Sequence, residues 1–363
     1  MQSAGRKEQD AVMRAKVLVI YTGGTIGMVP EAAADPESPL VPAGRERLAR
    51  AIVNHPDDID WDLAGLADGA GGTLPPLDSS DVGPDHWTAL AAQIVGAYER
   101  YDGFIVLHGT DTMAYSAAAL SFLLENLRKP VVFTGSQLPI FASRSDAPGN
   151  LANALAVAGW PASRLPCIPE VLIAFADVVL RGNRATKIST GAYRGFASPN
   201  LPPLARLGLD IAVERSLLRP GPDPAAPLRA DRRLGAQIMD ISLYPGITPG
   251  QLDAMLSVPG VEGYVLRCFG AGNAPGDPAL LAALGRATAA GRVIVAVKQS
   301  PEGTVEMGLY AAGSGLLRQG VLPGADMTAE AALAKLIWLL SRYEATEAAA
   351  LIGQDLRGEL TIG

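Results

Sequence analysis

Ile105-Val-Leu-His-Gly-Thr-Asp-Thr-Met-Ala-Tyr115 joins a buried strand, a glycine break and a helix that opens on short polar side chains. Phe104 to Leu107 is a continuous apolar run, the pattern of a parallel strand covered on both faces. Gly109 ends it, and Thr110, Asp111 and Thr112 precede a mostly apolar helical stretch from Met113 to Leu124. In open α/β sheets ligands bind outside the carboxyl ends of the strands, where this loop falls. The plainer reading is that one of the three polar residues caps the helix.

The same sequence of features recurs on either side. Lys16-Val-Leu-Val-Ile-Tyr21 breaks into Thr22-Gly-Gly-Thr-Ile-Gly27, and Pro130-Val-Val-Phe-Thr134 into Gly135-Ser-Gln137. Repeated strand, small polar loop and helix predict a parallel sheet with helices on both faces. Paired glycines let a backbone approach a ligand closely. The turn is neither GxGxxG nor followed by Lys-Ser/Thr, so both nucleotide fingerprints fail. Residues 28–43, with Pro30, Pro36, Pro39 and Pro42, form a loop long enough to be a lid. A helical pattern runs from Gly44 to Val53, and Leu77-Asp-Ser-Ser-Asp81 reads locally as the cap of a helix from Pro84 to Arg100. Arg144 and Asp146 read as an ion pair fixing a loop. Arg181-Gly-Asn-Arg-Ala-Thr-Lys187 reads as a solvated basic turn unless Lys187 folds back on Thr110, which spacing does not show.

A chain of 363 residues, 48% hydrophobic, has material for two domains. The expected fold class is two-domain α/β: a larger N-terminal, mostly parallel sheet with flanking helices in residues 16–205, a proline-rich linker at 206–235, and a smaller C-terminal α/β domain at 236–363. In the latter, Gln237–Leu243, Gly263–Leu266 and Val293–Val297 read as strands and 249–257, 277–290 and 328–343 as helices. Residues 1–15 carry charges and no apolar signal core, and read as a disordered extension. With 18% charged residues and net charge −7, no basic face for nucleic acid or membrane is indicated. Cys167 and Cys268 form no CxxC pattern, which suits a reducing compartment, and the cytoplasm is the expected location.

Elimination narrows the chemistry. The three histidines, His55, His86 and His108, make no HExxH or spaced ligand cluster, and GxSxG is absent, so neither a zinc hydrolase nor the usual serine-hydrolase elbow is indicated. His108, at a strand end, reads as a packed core histidine. What remains is a set of hydroxyls: Thr22, Thr25, Thr110, Thr112, Ser79 and Ser80. A threonine hydroxyl needs a base to become nucleophilic. With histidine set aside, a desolvated lysine is the natural one, and Lys187 leads.

Thr22-Gly-Gly-Thr-Ile-Gly27 and Leu107-His-Gly-Thr-Asp-Thr-Met113 resemble the two signature motifs of bacterial-type L-asparaginases, more in the manner of the cytoplasmic type I branch. The likeness continues through Leu77–Asp81, Thr134–Gln137, Arg144–Asp146, Arg181–Arg184, Phe196–Pro203, Tyr244–Gly246, Gly270–Pro275 and Leu356–Leu360, and so covers the chain from about residue 16 to its end. This resemblance implies a homodimeric or homotetrameric amidohydrolase that converts L-asparagine and water to L-aspartate and ammonia without metal or organic cofactor. By the same resemblance Thr25 is the primary nucleophile, and Thr110, Asp111 and Lys187 form a second catalytic cluster. Asp78, Ser79, Ser80, Thr110 and Asp111 would bind substrate, Ser79 taking the α-carboxylate and Asp111 the α-amino group. Thr186, Arg267, Asn273 and Ser300 fall where cytoplasmic relatives hold effector asparagine. One departure stands out: relatives carry a tyrosine on the loop after TGGTIG, whereas residues 28–43 contain none, and Pro39 or Leu40 occupies its place. Two alternatives remain beside hydrolysis: a non-catalytic asparagine sensor, and an amidotransferase subunit acting on a tRNA-linked substrate.

Overall fold

Alternation along the central strands builds the larger domain. In the computed structural model, which describes residues 14–32, 38–52, 56, 58–161, 164–230, 234–308 and 311–362, Val17, Val19 and Tyr21 enter one apolar cluster while Leu18 and Ile20 enter another. The same alternation separates Phe104 and Val106 from Ile105 and Leu107, and Val131 and Phe133 from Val132. Successive side chains of a strand point to opposite faces, so a run that is apolar throughout needs cover on both. On one face lie the helices Pro84–Ala97 and Met113–Leu123; on the other lie Arg45–Ala51 and Ala147–Gly159.

The sheet has eight strands in the spatial order Ile211–Val213, Ala205–Leu207, Val178–Arg181, Val171–Phe175, Val131–Thr134, Gly103–Leu107, Ala15–Tyr21 and Ile59–Gly65. The five from Val171–Phe175 to Ile59–Gly65 are parallel, and the other three join antiparallel. The strand Ile59–Gly65 had no counterpart in the sequence reading, because Asp60, Trp61 and Asp62 break its apolar pattern. The smaller domain is a parallel sheet ordered Gln237–Ser242, Val261–Cys268, Val293–Lys298 and Leu322–Pro323, with Pro249–Leu256 and Pro278–Ala289 packed on one face. Its other face meets Ala329–Leu340, the expected long C-terminal helix, which also packs against Met113–Leu123. One apolar cluster thus spans both sheets, from Phe104 to Val295.

The proline-rich stretch is more structured than its composition suggests. Ala205–Leu207 and Ile211–Val213 extend the large sheet into the expected linker, and Arg229–Ala230 pairs with Leu124–Glu125. The expected N-terminal extension, apart from Arg14 and Ala15, lies outside the described residues, as do Val53 and His55.

The Arg181–Lys187 turn is not solvated. Arg181 pairs with Glu170 at 2.5 Å and Arg184 with Asp326 of the smaller domain at 2.9 Å, all four side chains being nearly or fully buried. Burial pushes the Asp326 carboxyl up, but Arg184 and Thr361 outweigh it and hold the group below its ordinary range. Arg184 also donates to Glu359 O, and the Glu359 carboxylate meets Lys335 at 2.5 Å, so the chain end is tied to both domains.

Candidate active site

Glycine turns bring three loops into contact. Thr22 N donates to Leu107 O at 3.0 Å, Leu77 N to Thr22 O at 2.8 Å and Gly24 N to Leu77 O at 3.0 Å. Gly24 has φ +84°, and a Cβ on it would stand 2.3 Å from the Gly109 backbone. Only glycine combines that conformation with that approach. A Cβ on Gly109 would in turn lie 2.6 Å from Ser79. The loops of residues 22–25, 77–80 and 107–112 therefore close on one another at the carboxyl ends of adjacent strands.

Hydrogen bonds sort the hydroxyls. Thr22 donates to Leu107 O at 2.9 Å, Thr112 to Ser79 O at 2.6 Å, and Ser80 to the Asp78 carboxylate at 2.5 Å. These three serve the loops. Lys187 Nζ lies 2.8 Å from Thr110 Oγ1 and 2.5 Å from Asp111 Oδ1, so the strand pair Thr186–Lys187 and Phe196–Ala197 folds the lysine back onto the threonine. The Thr25 hydroxyl makes no hydrogen bond to another described residue, and Ser79 is buried beside Gly109. Asp111 is 63% exposed while Lys187 is 16% exposed, so the cluster opens to solvent on the carboxylate side.

Three local readings are corrected. Thr112 sits at the start of the helix Met113–Leu123 without a side-chain capping bond, because its hydroxyl crosses to the Ser79 loop. The cap of the helix Pro84–Ala97 is Gly83; Asp78 instead accepts from Ser80 N and stabilises the short turn Ser79–Asp81. Asp146 accepts from Gln137 N and Leu138 N rather than pairing with Arg144, because two backbone donors of the preceding loop converge on it. Thr112 is among the candidate hydroxyls of the sequence, but nothing in its spacing points to the Ser79 loop as its partner.

The proposed lid is an antiparallel hairpin, Met28–Pro30 against Leu40–Pro42, anchored by Ala43 N to Gly27 O at 2.7 Å and Ile140 N to Ile26 O at 2.9 Å. Leu40 is 46% exposed and offers no proton. Tyr21, at the base, approaches Ala43 O at 3.4 Å, and burial pushes its phenol up to about 12.

The four effector-site residues are not brought into one hydrogen-bonded group. Thr186 donates to Glu330 at 2.6 Å and Arg267 pairs with Asp240, while Ser300 donates to Glu302 O and Asn273 forms a backbone bridge with Phe269. Tyr115 faces both Glu330 and Arg267, which links the first two contacts. Among the described residues no three His, Cys, Asp or Glu side chains converge in a metal-holding arrangement, and no helix is long and apolar enough to cross a membrane.

His108 is a core residue. Its Nδ1 lies 2.7 Å from Gly109 O, which can only accept, so Nδ1 carries the proton. Nε2 then accepts from Ser116 at 2.9 Å, and Ser116 accepts from Trp87 Nε1 at 2.9 Å. Burial lowers its pKa to about 4 from 6.5. Between those values the unfolded chain binds a proton that the folded one refuses, so stability rises from pH 4 to 6.5 by about 3 kcal/mol from this group. His108→Asn is expected to flatten that part of the urea-unfolding pH profile; an unchanged slope would refute the assignment.

The fold and these groups define a two-domain α/β protein whose candidate site residues gather at the carboxyl ends of a mostly parallel sheet. The chain belongs to the asparaginase family: the profile described as Asparaginase, N-terminal matches residues 16–219, and that of the Glutaminase/Asparaginase C-terminal domain matches residues 237–351. It is 42% identical over 356 residues to L-asparaginase 1 of Escherichia coli strain K12, covering 96% of this chain and 99% of that one. It is 40% identical to the human 60 kDa lysophospholipase, covering 95% of this chain and 61% of that protein. The crystal structure of L-asparaginase I from Vibrio cholerae superimposes with a TM-score of 0.83 at 39% identity, covering 96% of this chain and all of that one.

Proposed function

We propose that the protein is an L-asparaginase that hydrolyses L-asparagine to L-aspartate and ammonia by double displacement on a threonine. What carries the reading is the contact of Lys187 with both Thr110 and Asp111, beside a Gly24–Thr25 turn packed on Gly109. Thr25 attacks the side-chain amide, the amide carbon becomes tetrahedral, and its oxyanion takes hydrogen bonds from the glycine-rich backbone and Thr110. Preorganised donors of this kind are each worth about 10² to 10³ in rate. The Thr25 hydroxyl proton passes to the amide nitrogen as the C–N bond breaks and ammonia leaves; water then attacks the Thr25 ester, and its proton is relayed by Thr110 and Lys187 to the Thr25 oxygen as the ester C–O bond breaks. Asp111 holds Lys187 and meets the substrate's α-amino group, while Ser79, with Asp78 and Ser80 shaping its turn, takes the α-carboxylate. No cofactor enters these steps.

Likeness to L-asparaginases over nearly the whole chain favours hydrolysis over the sensor and amidotransferase readings. We further propose that the catalytic domain gives way to the C-terminal domain within the proline-rich stretch ahead of Gln237, and that the protein acts in the cytoplasm as a homodimer or homotetramer. The test of the activity is ammonia release from millimolar L-asparagine and L-glutamine by the purified protein. Release from asparagine is the expected result; none above a heat-killed control would leave the sensor reading in its place.

A further inference from the structure

A cavity of about 360 Å³ lies beyond the C-terminal end of the helix Met113–Leu123, where the larger domain, the segment leaving its sheet and the chain end meet. Its size is at the lower end of small-molecule sites. Three arginines line it: Arg181 from the sheet, Arg219 from the departing segment and Arg357 from the chain end.

Two carboxylates serve these arginines, and both are shared. Glu170 takes Arg181 Nε at 2.5 Å and Nη2 at 3.1 Å, and its Oε1 also accepts from Arg219 N at 3.1 Å. Glu125 Oε1 is divided between Arg357 at 3.2 Å and Arg342 at 3.3 Å. The Arg219 guanidinium donates to Leu356 O at 3.2 Å; Asp355 acts on it electrostatically without forming an ion pair. Burial pushes the Arg357 guanidinium below its ordinary range; Glu125 and Glu359 oppose that shift, and Arg219 and Arg342 add to it. Of the residues that line the space, three are guanidiniums and two are carboxylates, which leaves positive charge facing a partly enclosed polar cavity. Guanidinium forks recognise carboxylate and phosphate oxygens in pairs, so the uncompensated chemistry is that of an oxyanion acceptor.

We propose that this arginine-lined cavity binds a compact oxyanion of two negative charges, an inorganic phosphate or a short dicarboxylate, held between Arg219 and Arg357. Bound there, the anion bridges the departing segment and the chain end across the larger domain. It binds the folded state alone, because the unfolded chain does not bring the arginines together, and therefore stabilises it.

The test is thermal unfolding of the full chain at constant ionic strength, with sodium phosphate, sodium succinate or sodium chloride as the added salt. Phosphate or succinate at saturation is expected to raise Tm by about 3 °C over chloride, with a hyperbolic concentration dependence. Arg219→Gln is expected to abolish that rise while leaving asparagine turnover unchanged, which shows that the variant is folded; Arg357→Gln is expected to weaken it. Response to phosphate alone or to succinate alone assigns the anion class and supports the site either way. No rise over chloride, or a rise of equal size in Arg219→Gln, overturns the proposal.

Discussion

Thr25→Ala is expected to lower asparagine turnover on the order of 10⁴-fold or more, since removing the proposed covalent nucleophile removes the chemical route rather than one contact. Thr25 is half-buried on a turn whose conformation rests on Gly23 and Gly24, and its hydroxyl bonds to no other described residue. The substitution therefore leaves the fold intact, and Tm is expected within about 1 °C of the parent. Thr25→Ser retains the hydroxyl and is expected to keep measurable turnover. Steady-state ammonia assays of both variants decide the point. If Thr25→Ala retained turnover within tenfold of the parent, the nucleophile would have to be sought at Thr110.

Lys187→Met is expected to reduce kcat about 10² to 10⁴-fold, the range of a lost proton-transfer group, with a smaller change in KM. The methionine fills the stem's space but cannot reach Thr110 with a donor or accept its proton. Asp111, mostly exposed, is left in contact with water rather than buried without a partner, so the loss is catalytic and not a failure to fold. Lys187→Arg separates two roles. A guanidinium can hold Asp111 but sheds no proton at accessible pH. An inactive Lys187→Arg with near-parent KM marks the lysine as the proton carrier; an active one reduces it to an electrostatic anchor.

The absence of a lid tyrosine bears on both results. Leu40 stands in the hairpin that follows the Thr25 turn and brings no hydroxyl. If the lid only excludes water, a leucine serves as well as a tyrosine; if it takes part in proton transfer, the parent enzyme is slow and Leu40→Tyr raises kcat.

Much of the architecture was legible because it is local. Apolar runs at 16–21, 104–107 and 131–134 ended by glycine and small polar residues identify buried parallel strands. The helix over 329–340 follows from its apolar periodicity, and the hydroxyls of Thr25 and Thr110 stand out where strand meets glycine. These signals need only steric and hydrophobic rules that act over a few residues. Ile59–Gly65 escaped because an edge strand with one half-exposed face breaks that pattern.

By itself the sequence determined the class of fold, the strand ends that carry the candidate hydroxyls and, through two motifs in order, the family. Only the tertiary structure decided that Lys187 reaches Thr110 across 77 positions, that Thr112 binds the Ser79 loop instead of capping its own helix, and that Arg181 and Arg184 are buried partners of Glu170 and Asp326 rather than a solvated turn. The reason is physical: propensity and periodicity constrain neighbours in the chain, whereas these contacts form only when the sheet stacks its strand ends and the second domain closes on them. The partner of a polar side chain is chosen by that packing, which no spacing along the chain encodes.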